Sequence, residues 1–232
     1  MTQSEEIEKR IGVTLKNKDL LTQAFMHRSF VVENHMGDLA SNERLEFLGD
    51  AVLEIAVSDF LYRLHETKAE GILTQWRSMI VNTKTLAEVC KDLDLGQYIF
   101  LSRGEKSSAG FEKERILANI LEALIGAIYV DSGYAKAEAF IKSAILSRAE
   151  TLLTSSEDYN PKGILQEKIQ AKKRLTPEYQ VIEERGPDHR KMFLCAVFLE
   201  GEKLGEGKGK SKKEAEEDAA RSALQYLHTK ST

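Results

Sequence analysis

The sequence predicts a multi-domain protein, in which an all-α domain at residues 1–153 is followed by an α+β domain at residues 161–228. Three observations predict this division. Apolar residues recur at helical spacing through the first part, with no strand-like alternation. The stretch at 154–160, TSSEDYN, is polar and aperiodic, which is typical of a linker. The last part holds three short strand-like runs between two helical ones, in the order α-β-β-β-α.

Charge is divided unevenly along the 232 residues, although the formal net charge is only −4. Residues 160–232 carry 15 Lys and Arg against 12 Asp and Glu, whereas residues 1–159 carry 18 against 25. This asymmetry suits an acidic domain that binds a cation and a basic domain that binds a polyanion. Chance variation between two domains is the alternative explanation.

Several classes of protein are excluded by what the sequence lacks. No apolar run is long enough to span a bilayer, and the first residues, MTQSEEIEKR, lack the apolar region of a signal peptide. Cys90 and Cys195 lie far apart without a CxxC partner, so neither a disulfide framework nor a cysteine zinc site is predicted. There is no glycine-rich phosphate loop. We therefore expect a cytoplasmic protein with no membrane partner and no small-molecule cofactor.

The first elements are predicted from local patterns. Residues 4–10 read as a short helix, and Leu15–Phe30 as a helix that the MHRSF segment closes. His27 within that segment is a candidate for catalysis or for capping and packing, and the second role is favoured. Asn34–Ser41 is predicted to be a loop because Gly37 and Asp38 are turn residues.

The most informative stretch is NERLEFLGDAVLEIAV at Asn42–Val57, a predicted amphipathic helix. Asn42 is expected to cap its first turn. Its carboxylates lie three or four residues apart and repel one another, so the acidic face is either a solvated surface or a cation site. Gly49 costs about 1 kcal/mol inside a helix, which indicates that another backbone comes close. The apolar stripe is Leu45, Leu48, Val52 and Ile55, and the acidic face is Glu43, Glu46, Asp50 and Glu54, with Phe47 beside it.

Further helices are predicted at Leu73–Val81, Thr83–Leu93, Arg115–Tyr129 and Tyr134–Leu153, with an irregular segment at Leu95–Gly110. The third of these helices has one apolar stripe and, on another side, two polar residues beside two small ones. The stripe is Leu117, Ile120, Leu121, Leu124 and Ile128, and the other side is Asn119, Glu122, Ala123 and Gly126.

Small residues let two helices approach closely, and Gly49 offers the matching surface for Ala123 and Gly126. The approach would gather four polar side chains around one point: Glu46, Asp50, Asn119 and Glu122. Oxygen ligands of this kind suit Mg²⁺ or Mn²⁺, and gathered carboxylates need a cation to stay ionised together. Such a cation would hold a phosphate, lower the pKa of an attacking water and stabilise the departing oxygen.

NERLEFLGDAVL, together with MHRSF and the EGILT stretch that begins at Glu70, resembles the signature of the ribonuclease III family. Members of that family are metal-dependent endonucleases that cut double-stranded RNA to 5′-phosphate and 3′-hydroxyl products with short 3′ overhangs. The resemblance implies a homodimer, and Phe47 is our candidate for the dimer contact. Met26 stands where the family usually has Thr.

The family's site residues are carried over to matching positions of this sequence. The resemblance implies metal ligands at Glu46, Asp50, Asn119 and Glu122, of which Asp50 and Glu122 are catalytic. Glu43 and Glu70 match additional acidic positions. At Asn119 the family pattern is usually Asp, so one negative charge is absent from the expected site.

The last domain is predicted to contain a helix at Ile164–Lys173 and strands at Pro177–Glu184, Lys191–Leu199 and Glu202–Lys208. Ser211 is expected to cap a final helix, whose buried edge would be Ala215, Ala219, Ala223 and Leu227. The element order, the GPDH loop and the GKGKSKKEAE helix start resemble the double-stranded RNA-binding domain.

Candidate RNA contacts follow from that arrangement. Lysines around a helix N-terminus attract phosphate through both charge and amide dipoles. Gln166 and Gln170 share one helix face and can reach 2′-hydroxyls in the shallow minor groove, while His189 sits on a strand loop. The lysines are Lys210, Lys212 and Lys213.

The expected function is therefore a metal-dependent endoribonuclease for double-stranded RNA, active in RNA processing. An alternative of another class is a double-stranded RNA-binding protein whose nuclease centre is weak or inactive because Asn119 removes a charge. A helical scaffold with no RNA partner would leave the second domain unexplained.

Overall fold

The structure is a computed structural model, which describes residues 2–149, 153, 161–173, 175–187 and 191–229. It forms two compact units that meet in sequence between residues 152 and 153. The predicted linker at 154–160 lies outside the described residues, so the boundaries drawn around it stay predictions. No helix in the described part of the chain is long and apolar enough to cross a membrane.

The first unit is all-α, as predicted, and short 3₁₀ turns lie between some of its helices and after the last one. The helices are α1 (Gln3–Ile11), α2 (Lys18–Ala24), α3 (Arg28–Glu33), α4 (Glu43–Leu64), α5 (Glu70–Ile80), α6 (Thr83–Asp92), α7 (Arg103–Ser107), α8 (Glu114–Ser132) and α9 (Tyr134–Ala144). The 3₁₀ turns are Asp38–Ala40, Gly96–Tyr98, Gly110–Glu112 and Leu146–Arg148.

Helix α8 forms the centre of this unit and packs against α2, α4, α6 and α9. Because it is surrounded, it is apolar on nearly every side, as expected for a buried helix. Its predicted stripe is fully buried, and so are Ala123, Ile125 and Ala127 on its other faces.

Helices α4 and α8 cross at two glycines, Gly49 and Gly126. A Cβ atom added at Gly49 would lie 1.8 Å from the carbonyl oxygen of Glu122, and one added at Gly126 would lie 2.2 Å from that of Leu45. No other residue type fits at either position without separating the helices. The close backbone approach predicted from Gly49 is confirmed, and it brings the polar faces of α4 and α8 together.

The predicted helix Leu15–Phe30 is wrong, because the chain breaks between α2 and α3. Phe25 and His27 form backbone hydrogen bonds with Phe100, the first accepting at 2.9 Å and the second donating at 3.2 Å. This pairing is non-local and leaves no mark on the local pattern. His27 then begins α3 as its cap, since the Ser29 amide donates to its Nδ1 at 3.2 Å.

Three further expectations are corrected by the structure. The Asn42 side chain makes no capping bond with α4. Ile55 is 58% exposed, because the buried edge of α4 follows the crossing through Gly49 and Leu53 instead. The helix predicted at Tyr134–Leu153 ends at Ala144 and is followed by a 3₁₀ turn, and residues 150–152 lie outside the described residues.

The second unit has the predicted α-β-β-β-α order, with an antiparallel sheet in the order β1-β2-β3. In the register of the sheet, Val181 on β1 pairs with Cys195 on β2, which pairs with Gly207 on β3. The elements are α10 (Pro161–Lys173), β1 (Glu178–Arg185), β2 (Met192–Leu199), β3 (Glu202–Gly209) and α11 (Lys212–Thr229).

Alternate residues of β3 are glycines that let α11 lie directly on the sheet. A Cβ atom at Gly205 would lie 2.6 Å from the amide nitrogen of Ala223, and one at Gly207 would lie 2.0 Å from that of Ala219. The alanines of α11 are fully buried there beside Leu165 and Val197. The spacing of small residues in GEGKG and along α11 therefore sets the distance between helix and sheet.

The α4–α8 crossing can be tested with a matched pair of glycine substitutions. Gly49→Ala should lower the free energy of unfolding by about 3 kcal/mol or more, because the added methyl meets backbone that cannot move away. Gly71→Ala is the control, since its methyl meets nothing within 4 Å in α5, and we expect a change within about 1 kcal/mol. Urea denaturation of both variants measures the difference, and equal midpoints would contradict the crossing.

Candidate active site and RNA-binding surface

A cleft of about 1,030 Å³ lies beside the α4–α8 crossing. Helix α4 contributes Glu43, Glu46 and Asp50 to its lining, and α8 contributes Asn119 and Glu122. Five of the six residues expected to form a metal site thus line one cavity. Three of them are presented one turn apart by α4, and two by α8, because both helices turn a polar face to this side of the crossing.

Glu70 is the exception. It lies at the start of α5 and lines a different groove, of about 390 Å³, with Ile55 and Tyr62. Its Oε1 accepts a hydrogen bond of 2.8 Å from the Thr74 hydroxyl. Within one chain, the structure does not bring Glu70 to the cleft.

Burial and repulsion from neighbouring charges raise the pKa of two carboxyls in the cleft, Glu122 and Glu46. Burial raises the pKa of Glu122 to about 7, and the charges of Asp50 and Glu46 add to the effect. The pKa of Glu46 is also raised, first by burial and then by the charge of Glu43. Glu46 and Glu122 are therefore the strained members of this cluster, whose other carboxylates, Glu43 and Asp50, are exposed.

Asn119 acts within this cluster as a hydrogen-bond donor. Its side chain bonds to the Glu46 carboxylate, which lowers the pKa of Glu46 and opposes the effect of burial. An aspartate at this position could not donate in its ionised form. Asn119 therefore stabilises the charge of its neighbour while it removes one negative charge from the cleft.

The donor set fits a divalent cation. Carboxylate and amide oxygens are hard ligands, and a bound cation would favour the ionised forms that burial now opposes. Among the described residues, no group of three or more His, Cys, Asp and Glu side chains is gathered closely enough to hold a metal ion as it stands. Binding of a cation would therefore require these side chains to lie closer together than they do in the structure.

The rim of the cleft carries cations that the sequence analysis did not single out. Arg28 pairs with Glu43 at 3.3 Å, and Lys113 pairs with Glu105 at 2.7 Å. Arg115 also lines the cleft, one helical turn before Asn119. The i, i+4 spacing of Arg115 and Asn119 on α8 could have predicted from the sequence that Arg115 lines the cleft. The pairing of Lys113 with Glu105 could not be predicted from the sequence, because only the fold brings these two residues together.

One buried donor in the cleft wall has no acceptor. Asn42 is 2% exposed, and its Nδ2 has no hydrogen-bond partner within the part of the chain that the structure describes. A buried donor without a partner costs about 1–3 kcal/mol. The residue expected to cap α4 is thus an unsatisfied group at the base of the site.

The second unit presents its candidate RNA contacts on exposed surface. Lys210, Lys212 and Lys213 are exposed at the start of α11, and Ser211 caps that helix by accepting from the Glu214 amide at 3.1 Å. Gln166 and Gln170 are exposed on α10, one turn apart. His189 lies outside the described residues.

Two of these lysines already have acidic neighbours. Lys212 lies 3.4 Å from Glu184 of β1 and 5.8 Å from the ring centre of Phe193. Lys213 lies 3.9 Å from Glu217 on its own helix. The lysine of each pair is exposed, at 61% and 84%, and surface pairs contribute about 0–1 kcal/mol. A phosphate can therefore replace either carboxylate at little cost.

Comparison with known families agrees with both units. Residues 17–149 match the family model described as "Ribonuclease-III-like", and residues 161–227 match the "Double-stranded RNA binding motif". Fold and matches together define a class of protein, the endoribonucleases in which a nuclease domain precedes a double-stranded RNA-binding domain. The chain belongs to the ribonuclease III family, which generally depends on divalent metal.

Individual relatives cover nearly the whole chain. The chain is 43% identical to ribonuclease 3 of Chloroflexus aggregans over 94% of this chain and 95% of that protein. It is 42% identical to ribonuclease 3 of Dehalococcoides mccartyi over 98% and 96%. The solved nuclease domain of ribonuclease III from Campylobacter jejuni is similar, with a TM-score of 0.58 and 38% identity over 62% of this chain and 96% of that one. These matches favour the endoribonuclease over a binding protein with an inactive centre.

The strain in the cluster predicts a stability effect without metal. A carboxyl whose pKa is raised on folding, from 4.5 to about 7, destabilises the fold increasingly as the pH rises through that range, and fully above it. In EDTA at pH 8, Glu122→Gln should therefore raise the free energy of unfolding by about 1–3 kcal/mol, allowing for partial exposure. At pH 4 the gain should vanish.

Urea denaturation at the two pH values measures this effect. Glu54→Gln is the matched control, because Glu54 is exposed on α4 and does not line the cleft. A gain at Glu122 that is the same at both pH values would contradict the proposed charge repulsion.

Proposed function

We propose that this chain hydrolyses double-stranded RNA in the acidic cleft, with Mg²⁺ or Mn²⁺ held by Glu46, Asp50, Asn119 and Glu122. The observation that carries the proposal is the strained cluster of carboxylates at the α4–α8 crossing. Such a cluster destabilises the free protein, and its pKa values are shifted in the way that a cation would reverse. The cytoplasmic location stays a prediction.

The reaction adds water across a phosphodiester bond. The water oxygen forms a bond to phosphorus, the bond to the 3′ oxygen breaks, and the products carry a 5′-phosphate and a 3′-hydroxyl. A bound divalent cation supplies a Lewis acid that polarises phosphate oxygens and lowers the pKa of a bound water.

The residues of the chain prepare the cleft for that chemistry. Asp50 and Glu122 are proposed as the catalytic carboxylates, and Asn119 orients Glu46 by its hydrogen bond. Glu43 is held at the rim by Arg28 at 3.3 Å and by the Ser41 hydroxyl, which donates at 3.1 Å. It is therefore a ligand only if those contacts are released.

The second unit is proposed to hold the duplex while the first unit cuts it. Lys210, Lys212 and Lys213 present charge at the start of α11, where the helix dipole also attracts phosphates. Gln166 and Gln170 on α10 are suited to 2′-hydroxyls of the minor groove. These contacts do not depend on base identity, which is consistent with an enzyme that acts on duplex shape.

A homodimer through α4 completes the proposal. Phe47, Ile55 and Tyr62 are 81%, 58% and 72% exposed and lie along one side of α4. Ile55 lines a groove of about 710 Å³ together with Leu48 and Tyr134, whereas Phe47 lines the acidic cleft. The nuclease domain from Campylobacter jejuni is described as structurally flexible in a region involved in dimer formation. Two centres in one dimer would cut both strands and leave the 3′ overhangs.

The cleavage proposal is tested with long duplex RNA and a titration of Mg²⁺. Wild type should cut the duplex, and Glu122→Gln should lower the rate at least about 100-fold, because the cluster loses a charged ligand. Binding of the same duplex in EDTA should not weaken, since the second unit provides most of it and the substitution removes a negative charge. Glu54→Gln again serves as the control. A wild type that cuts nothing at any Mg²⁺ or Mn²⁺ concentration would restore the binding-protein alternative.

The dimer proposal is tested by sedimentation at micromolar concentration. Phe47→Asp should convert the dimer to a monomer, because burying an unpaired carboxylate costs several kcal/mol. Phe111→Asp is the control, since Phe111 is another partly exposed phenylalanine and lies in a 3₁₀ turn rather than on α4. If wild type is itself a monomer, both the dimer and the role of Phe47 are wrong.

A further inference from the structure

The basic side chains that line the acidic cleft differ in whether they form a salt bridge. Arg28 and Lys113 are each neutralised by a carboxylate, at 3.3 Å and 2.7 Å. Arg115 lines the same cleft and makes no salt bridge within the residues that the structure describes. It is exposed, so its guanidinium is available to an anion that enters the cleft.

The position of Arg115 is not explained by the stability of its helix. It is the second residue of α8, where the helix dipole is positive and a cation is unfavourable. A cation at a helix N-terminus costs a few tenths of a kcal/mol when nothing negative is nearby. In the free protein the carboxylate of Glu46 offsets part of that cost through its field, without a salt bridge to Arg115 in the described part of the chain.

Arg115 and Asn119 lie four residues apart on α8, so both face the cleft from the same side. Asn119 lacks the negative charge of an aspartate, and Arg115 adds a positive one. Among the described residues that line the cleft, α8 then supplies one carboxylate, Glu122, whereas α4 supplies Glu43, Glu46 and Asp50, so the α8 side is the less acidic side. An RNA strand, which is a polyanion, is repelled least along α8.

We propose that Arg115 binds a phosphate of the RNA strand that enters the cleft, and that it does so before a metal ion is bound. This inference rests on the proposed function only in taking duplex RNA as the ligand. Arg115 is then a positioning residue: its guanidinium offers paired donors to phosphate oxygens and holds the strand against α8. The same charge weakens the attraction of the cleft for a cation when RNA is absent.

The proposal makes two predictions of opposite sign for one substitution. Arg115→Gln should weaken binding of duplex RNA in EDTA about three- to tenfold at 0.1 M salt and reduce the slope of log affinity against log salt by about 0.9. It should also tighten Mn²⁺ binding in the absence of RNA, at least about twofold, because a repelling charge is removed. Fluorescence anisotropy measures the first effect, and electron paramagnetic resonance of free Mn²⁺ measures the second.

Asn119→Asp is the charge-matched control, since it changes the net charge of the cleft by the same amount. It should tighten Mn²⁺ binding while the salt slope of RNA binding stays at the wild-type value, because it removes no phosphate contact. Arg115→Lys should keep the charge and most of the slope. Lys136→Gln, at an exposed lysine of α9 outside the cleft, should change neither measurement.

The outcomes separate this inference from the proposed function. An unchanged salt slope in Arg115→Gln overturns the phosphate contact, whether or not Mn²⁺ binding tightens. Both effects together support it, even if wild type fails to cleave RNA, because both are measured without turnover. A melting temperature equal to that of wild type is expected for Arg115→Lys and Lys136→Gln, whereas Asn119→Asp should melt lower in EDTA because it adds a charge to the cluster. Arg115→Lys provides the test if Arg115→Gln melts lower.

Discussion

The contact between the backbones of α4 and α8 is the constraint on which the rest of the nuclease unit depends. Side chains of ordinary size would hold two helices about 8–10 Å apart, whereas Gly49 and Gly126 let backbone atoms touch. The same approach buries the apolar side of α8 and forces the polar sides of both helices to share one cleft. Packing elsewhere in the unit thus brings the carboxylates together, and the free energy of that packing offsets their mutual repulsion.

The carboxylates that the proposed reaction needs lower the stability of the fold. The buried edge of α8 contributes the hydrophobic stabilisation, and the cluster that includes Glu122 opposes it at neutral pH. A glutamine would relieve the repulsion, but it would supply a neutral ligand to the cation. Asn119 combines two effects. It carries no charge of its own, and its hydrogen bond stabilises the ionised form of Glu46.

What could be predicted from the sequence is what depends on local spacing. The α4 and α8 periodicities, the small residues at the crossing and the carboxylates on facing sides were sufficient to place the cleft. The break after α2 was not predictable, because it results from pairing with Phe100, far along the chain. The exposure of Ile55 was missed for a related reason: periodicity identifies an apolar stripe but does not say whether this chain or a second copy covers it. The separation of Glu70 from the cleft depends on the path of the chain between α4 and α5.

The two units deal with the charge of RNA by different physical means. In the second unit, lysines stand on the surface in exposed pairs such as Lys212 with Glu184, which exchange readily for phosphate. In the first unit, partly buried carboxylates repel RNA until a cation reverses the sign of the site. A strand held only by the second unit would therefore be pushed away from the centre that must cut it. An unneutralised cation on the α8 side of the cleft counters that repulsion where the strand enters, which gives Arg115 a function that neither helix stability nor metal binding explains.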